Sequence, residues 1–148
     1  MALALAHERV GIARYARCER LLSALGKELG PHWDQLPASL HTQWARALVQ
    51  VRVARLLAYR TVHAQATGEF PDVLASSARI AVTQCDQAVA EVLAQALEDE
   101  ALEAGTSAPL HGAVEDHWRY AQAATVSSGT IEIQRMIVSK DLLKGSST

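Results

Sequence analysis

A chain of 148 residues is long enough for one domain with a core of its own. Its composition, 49% hydrophobic but only 5% aromatic with little glycine or proline, excludes a sandwich or barrel and suits a helical bundle with small-residue seams. A net charge of −2 and a pI near 6.3 give no electrostatic footprint for nucleic acid or an anionic membrane.

In chain order, a first helix is predicted over residues 3–29, stopped by Gly30-Pro31 because proline disfavours a helical residue before it. The opening MALALAHERVG lacks a basic n-region, and Glu8-Arg9 interrupts its apolar run. Neither a signal peptide nor a membrane span is expected, and a cytoplasmic location is the simplest. Glu8 shares a helix face with Ile12, Tyr15, Glu19 and Leu22. Read from the residues alone it is either a solvated acid, the simpler reading, or a partly desolvated one with a raised pKa.

Residues 31–37 form a short connection. Ser39 is the expected N-cap of a second helix reaching about Thr67 and closed by Gly68. Leu40, Trp44, Ala47, Val51, Ala54, Ala58 and Val62 make its core stripe, and Arg46, Arg52, Arg55 and Arg60 a solvated face. Asp72 is expected to cap a third helix, with Leu74, Ala78, Ala81, Cys85, Ala88, Val92 and Ala96 on its packed side. That helix ends in Glu98, Asp99, Glu100 and Glu103, acids that oppose the helix dipole, so this end should fray or find a basic partner.

A fourth helix is predicted over 112–126 and a fifth over 130–144, leaving 145–148 as a disordered tail. Long helices with short loops predict an all-α, antiparallel up-and-down bundle: four long helices plus a C-terminal helix, one domain over residues 1–144. The six histidines show no metal-binding spacing and Cys18 and Cys85 no C-x-x-C, so no metal is expected and the thiols read as buried in a reducing compartment. Neither a phosphate-binding glycine loop nor a G-x-S-x-G elbow is present.

One corner makes a stronger demand. Ser127, Ser128 and Gly129 end one helix, and Thr130 starts another with Glu132 in its first turn. The new helix aims unpaired N–H groups and a partial positive charge at whatever faces the loop. From spacing alone this is either a seat for a polar or anionic ligand group or an ordinary capped corner, the commoner arrangement.

The stretch around it, RYAQAATVSSGTIEIQRMIVSKDLL from Arg119 to Leu143, resembles the end of the acyl-CoA dehydrogenases, which typically reads R-x-x-R-A-A-T-I-Y-[EG]-G-T-x-E-I-Q-R. Arg119, Ala123, Ala124, Thr125, Gly129, Thr130, Glu132, Ile133, Gln134 and Arg135 fall in register. Glu8-Arg9 with Gly11-Ile12-Ala13 looks like the start of the first long helix of that family's C-terminal domain, and Ala75 to Ala90 like its third. The resemblance covers nearly the whole chain but only that domain of the family. The N-terminal helical and middle β domains, which in the family supply much of the flavin and acyl-CoA site, do not fit in 148 residues. A stand-alone domain, a truncated piece or one subunit of a split enzyme is therefore implied.

The resemblance implies α,β-dehydrogenation of an acyl-CoA thioester, in which a glutamate takes the α-proton and the β-hydrogen leaves as hydride to flavin N5. It places Gly129, Thr130 and Gln134 beside the flavin. Ser128 stands where many members carry the base, and serine cannot serve unaided. Some members put the base on the first long helix, just before an arginine; Glu8-Arg9 matches, which makes Glu8 the candidate base. The family's Q-x-x-G-G reads Gln95-Ala96-Leu97-Glu98-Asp99 here, so carboxylates stand where glycines approach the flavin pyrophosphate, and the R-x-Q-F motif is missing. FAD, shared with or supplied by a partner subunit, is the implied cofactor. The implied partners are an acyl-CoA substrate and acyl-CoA dehydrogenase-like subunits in a homo- or hetero-oligomer. Two alternatives stand beside this reading: a non-catalytic interaction module that completes or regulates a full-length homologue, and a flavin-free enzyme reusing the cleft with Glu8 and Ser128.

Overall fold

The computed structural model describes residues 11–69, 72–127 and 129–145; Glu8 and Ser128 lie outside them. Among the described residues there are five α-helices and no strands, in an antiparallel up-and-down bundle. They are α1 (Ile12–Leu29), α2 (Ala38–Ala66), α3 (Asp72–Leu97), α4 (Ala113–Ala123) and α5 (Ile131–Gly145). Gly145 thus closes α5, and the rest of the expected tail is outside the described residues. No described helix is long and apolar enough to cross a membrane.

Several boundaries depart from expectation for local reasons. Gly30 keeps helical dihedrals (φ −47°, ψ −44°), and the chain tightens into a 3-10 turn over Gly30–Gln35 with Pro31 at its start. Proline is tolerated in a first turn, where its missing N–H has no partner to lose. Extended backbone arrives only at Leu36, before Pro37, and the Leu36 N–H still donates to the Trp33 carbonyl at 3.1 Å. Trp33 stacks on His41 and meets Trp44 edge-on, fixing this turn against α2. Ser39 is not the cap: α2 starts at Ala38 behind Pro37 with no side-chain cap bond.

The far end of α2 follows the expected stop signal. Gly68 has φ +80°, its N–H donates to the Gln65 carbonyl, and the Glu69 N–H reaches back to Ala64 at 2.8 Å. These crossed bonds satisfy carbonyls that the ending helix leaves open. The predicted α2 stripe is buried from Leu40 to Ala58, but Val62 faces solvent and Thr61 takes the inward place, its hydroxyl bonded to the Leu57 carbonyl.

α3 touches all four other helices, so it is buried well beyond one stripe. Ala75 and Ala78 on α3 and Ala47, Ala54 and Ala58 on α2 are nearly or fully buried, small enough to let backbones approach. Leu22, Leu25 and Leu93 fill the centre, each contributing about 1.5–3 kcal/mol relative to exposure. Cys18 and Cys85 are buried free thiols in the same core. The acidic end of α3 neither frays into coil nor takes a basic partner in any ion pair among the described residues. It turns at Glu98 (φ +49°) into a 3-10 segment, Glu98–Leu102, anchored by buried Ala101.

Candidate functional site at the α4–α5 corner

α4 ends at Ala123, three residues earlier than the expected 126, and the chain turns through Ala124 to Ser127. The residues that follow, Thr125, Val126 and Ser127, are weak helix formers, and a buried contact fixes the turn they make. That contact is Arg79. Its side chain is 5% exposed, and one guanidinium nitrogen donates to the Ala124 carbonyl at 2.8 Å, to the Ser127 carbonyl, and to Ser127 Oγ at 2.9 Å. The loop's open carbonyls give the buried guanidinium acceptors for that nitrogen, while its Nε–H stays without a partner. Sequence reading passed over Arg79 because a charge within a helix is usually solvated. The available signal was its position, in register with buried Ala75, Ser76, Val82 and Thr83 at spacings of three and four.

Beyond the turn, Gly129 takes φ +91°, a conformation that strains any other residue. A Cβ there would stand 2.9 Å from Gln134 Nε2, so the loop closes directly over the Gln134 amide. Thr130 caps α5 in the ordinary way, its Oγ1 accepting the Ile133 N–H at 3.4 Å. Gly129 is exposed, Thr130 half-buried and Glu132 exposed. Gln134 has no exposure, and neither of its amide atoms has a hydrogen-bond partner.

The structure therefore brings Gly129, Thr130 and Gln134 together at one corner, with Gln134 beneath the surface and the other two at it. Gly11, three residues after Glu8 in the chain, packs against Val82, one turn from Arg79, so α1 enters the bundle near the same stretch of α3. The residues at the other predicted flavin contact, Glu98 and Asp99, are exposed beside exposed Glu100 and Glu103. Glu100 and Glu103 join Glu28 and His111 along a cleft of about 560 Å³. Fit to FAD is thus split within the chain. The corner offers a close backbone approach at Gly129 and a helix N-terminus, both suited to a polar cofactor edge. The end of α3 offers carboxylates and does not suit a pyrophosphate.

Comparison with known proteins places this architecture. Residues 1–143 match the family described as acyl-CoA dehydrogenase, C-terminal domain. The fold is similar to a solved structure titled Tcur3481-Tcur3483 steroid ACAD, with TM-score 0.85 and 23% identity over 95% of this chain and 37% of that one. A glycine-to-alanine variant of the same assembly gives TM-score 0.86 at 23% identity, covering 95% of this chain and 38% of the other. The chain thus spans less than two fifths of the length of those it matches in structure. No curated protein matches the sequence. With the match running across nearly every residue and the same helical fold, the chain belongs to the acyl-CoA dehydrogenase family, as its C-terminal domain.

Proposed function

We propose that this chain is the C-terminal part or small subunit of an FAD-dependent acyl-CoA dehydrogenase whose flavin pyrophosphate is held by a partner subunit. The observation that carries this is the separation of the two family flavin motifs. Arg79, which grips the corner, and Leu97, at the end of α3, are eighteen residues apart on one helix, about 27 Å. On this reading the two contacts face different flavins of an assembly. The corner keeps the family's Gly129-Thr130, whereas Glu98 and Asp99 repel the anion that glycines would admit. A chain of this kind completes one flavin site and leaves the other to its partner.

When bound, the flavin would accept hydride from the acyl β-carbon. Glu8 is the proposed base for the α-proton, since Ser128 holds the alternative base position without a carboxylate. Gly129 and Thr130 would meet the cofactor, and Gln134 would support the loop from below. Assembly is supported by α2, which turns Val49, Val53, Leu56 and Tyr59 to solvent in one row, with Val49 61% and Leu56 63% exposed. Co-expression with a full-length acyl-CoA dehydrogenase from the same genome tests the proposal. The expected product is a stable complex with flavin absorbance and acyl-CoA turnover that Glu8→Gln abolishes while flavin stays bound. Stoichiometric flavin on the chain purified alone would overturn the shared-cofactor reading. A complex that turns over equally well with Glu8→Gln would favour the second reading, a non-catalytic module, for which Ser128 and the Glu98-Asp99 pair argue.

A further inference from the structure

Two turns along α3 from Arg79, three buried side chains from three helices converge: Cys18 of α1, Asp86 of α3 and His117 of α4, none with any exposure. Cys18 Sγ lies 3.3 Å from Asp86 Oδ1 and 3.9 Å from His117 Nε2, and the three donor atoms fall within 4.8 Å of one another. His117 Nδ1 is buried with no hydrogen-bond partner, so this ring turns Nε2 toward the sulfur while its other nitrogen stays unsatisfied. The flavin chemistry proposed above uses none of these groups. We infer that they form a site for one soft monovalent metal ion, copper(I), held between the Cys18 thiolate and His117 Nε2 with Asp86 alongside.

Reach permits it. Bonds from a d10 ion of about 2.3 Å to sulfur and about 2.0 Å to nitrogen span at most about 4.3 Å, so donors 3.9 Å apart can share one ion at an obtuse angle. Ligand type favours it too, since thiolate selects Cu(I), Zn(II) or iron–sulfur clusters and imidazole suits copper and zinc. Charge then decides between them. Asp86 is already matched by Arg14, which donates to Oδ2 through Nε at 2.7 Å and pairs with it through Nη2 as well. Arg17, the next cation, is paired with Asp116 at 2.5 Å. The thiolate is therefore the one uncompensated negative charge on offer. A monovalent ion leaves the interior neutral, whereas a divalent ion leaves a net positive charge in a water-free site.

The loading step balances simply. The Cys18 S–H bond breaks, a sulfur–metal bond forms, and one proton leaves to solvent per ion. The neighbouring Cys85 thiol, burial and the Asp86 carboxylate all push the Cys18 thiol pKa up, and it is this proton that an incoming cation displaces. His117 is kept neutral chiefly by burial, the state in which Nε2 can coordinate.

Silver(I), redox-inert and of the same charge, is the probe, added in chloride-free buffer during refolding of the full chain because the site has no opening. One ion should bind per chain with release of one proton, and Tm should rise by about 5–10 °C at a hundredfold excess over Kd. The ¹⁵Nε2 resonance of His117 should shift in the wild-type protein, a readout that needs no variant to fold. Cys18→Ser should abolish binding and Cys85→Ser preserve it. An unmoved His117 resonance, equal loss in the two cysteine variants, or tighter Cys18-dependent binding of zinc(II) than of silver(I) would overturn the assignment.

Discussion

At the Arg79 end of α3, a buried cation holds the neighbouring loop through three acceptors, and the left-handed residue in that loop is Gly129. At the Glu98 end, the left-handed backbone falls on Glu98 itself and, in the adjoining loop, on Leu110 and His111, amid exposed carboxylates. A left-handed backbone that glycine adopts freely is thus carried at Glu98 by a residue it strains. One end of the helix keeps both the path and the side chains that suit it. The other bends through a left-handed glutamate with carboxylates at the surface.

The sharpest way to break this contrast is to remove Arg79. Arg79→Ala leaves the buried Ala124 carbonyl unpaired and strips the part-buried Ser127 carbonyl of its donor, and should lower stability by about 2–4 kcal/mol in urea unfolding, because bonds from a charged donor are lost together. Arg79→Lys should recover only part, since an ammonium lacks the planar fork. A loss under about 1 kcal/mol for Arg79→Ala would mean that the corner holds itself and the contrast is false.

Gly129→Ala comes next. It combines backbone strain at φ +91° with a methyl group 2.9 Å from Gln134 Nε2, and about 1–3 kcal/mol should be lost. Adding Gln134→Ala removes the collision but not the strain. The double variant should therefore be more stable than the sum of the single changes predicts; strict additivity would show that the loop does not rest on Gln134.

The five helices were legible because apolar spacing, Gly68 and the prolines mark where each can bury a face and where each must stop. The family register also brought Gly129, Thr130 and Gln134 to one place. What stayed hidden was polar burial. Ser76, Arg79, Thr83 and Asp86 lie inside on α3, and an apolar-periodicity reading has no means of counting them. Val62 was misplaced for a related reason: valine and threonine are near-isosteres, and Thr61 could turn inward because its hydroxyl bonds the helix's own Leu57 carbonyl. The Cys18, Asp86 and His117 cluster comes from three helices, so no local spacing announces it. Gln134 in the second turn of α5 could have faced either way; only the loop folded over it decides.

Glu98→Gly probes the opposite end and should stabilise. Relief of about 1–2 kcal/mol of left-handed strain exceeds the roughly 0.5–1 kcal/mol of added chain entropy lost by glycine, leaving a net gain of about 0.5–1 kcal/mol. Thermal unfolding should show a rise of about 2 °C. In the assembled enzyme the same change together with Asp99→Gly should slow flavin dissociation if this end lies near a pyrophosphate, and leave it unchanged if the acids face solvent.

The smallest expected effect lies midway between the two ends, at His117. Burial lowers its pKa below the ordinary 6.5, Asp86 partly opposes that, and Arg17 adds to it. The unfolded chain, with an ordinary histidine, then binds more protons than the folded chain just below pH 6.5, so stability falls as pH drops through that region. Urea midpoints taken between pH 7.5 and 5.5 should decline, and His117→Gln, which cannot titrate, should flatten the decline while the Arg79 and Gly129 variants keep it. A slope unchanged by His117→Gln would place the responsible protons elsewhere. A slope altered by Arg79→Ala would instead tie the histidine's burial to the corner, making that end and the middle of α3 one cooperative unit.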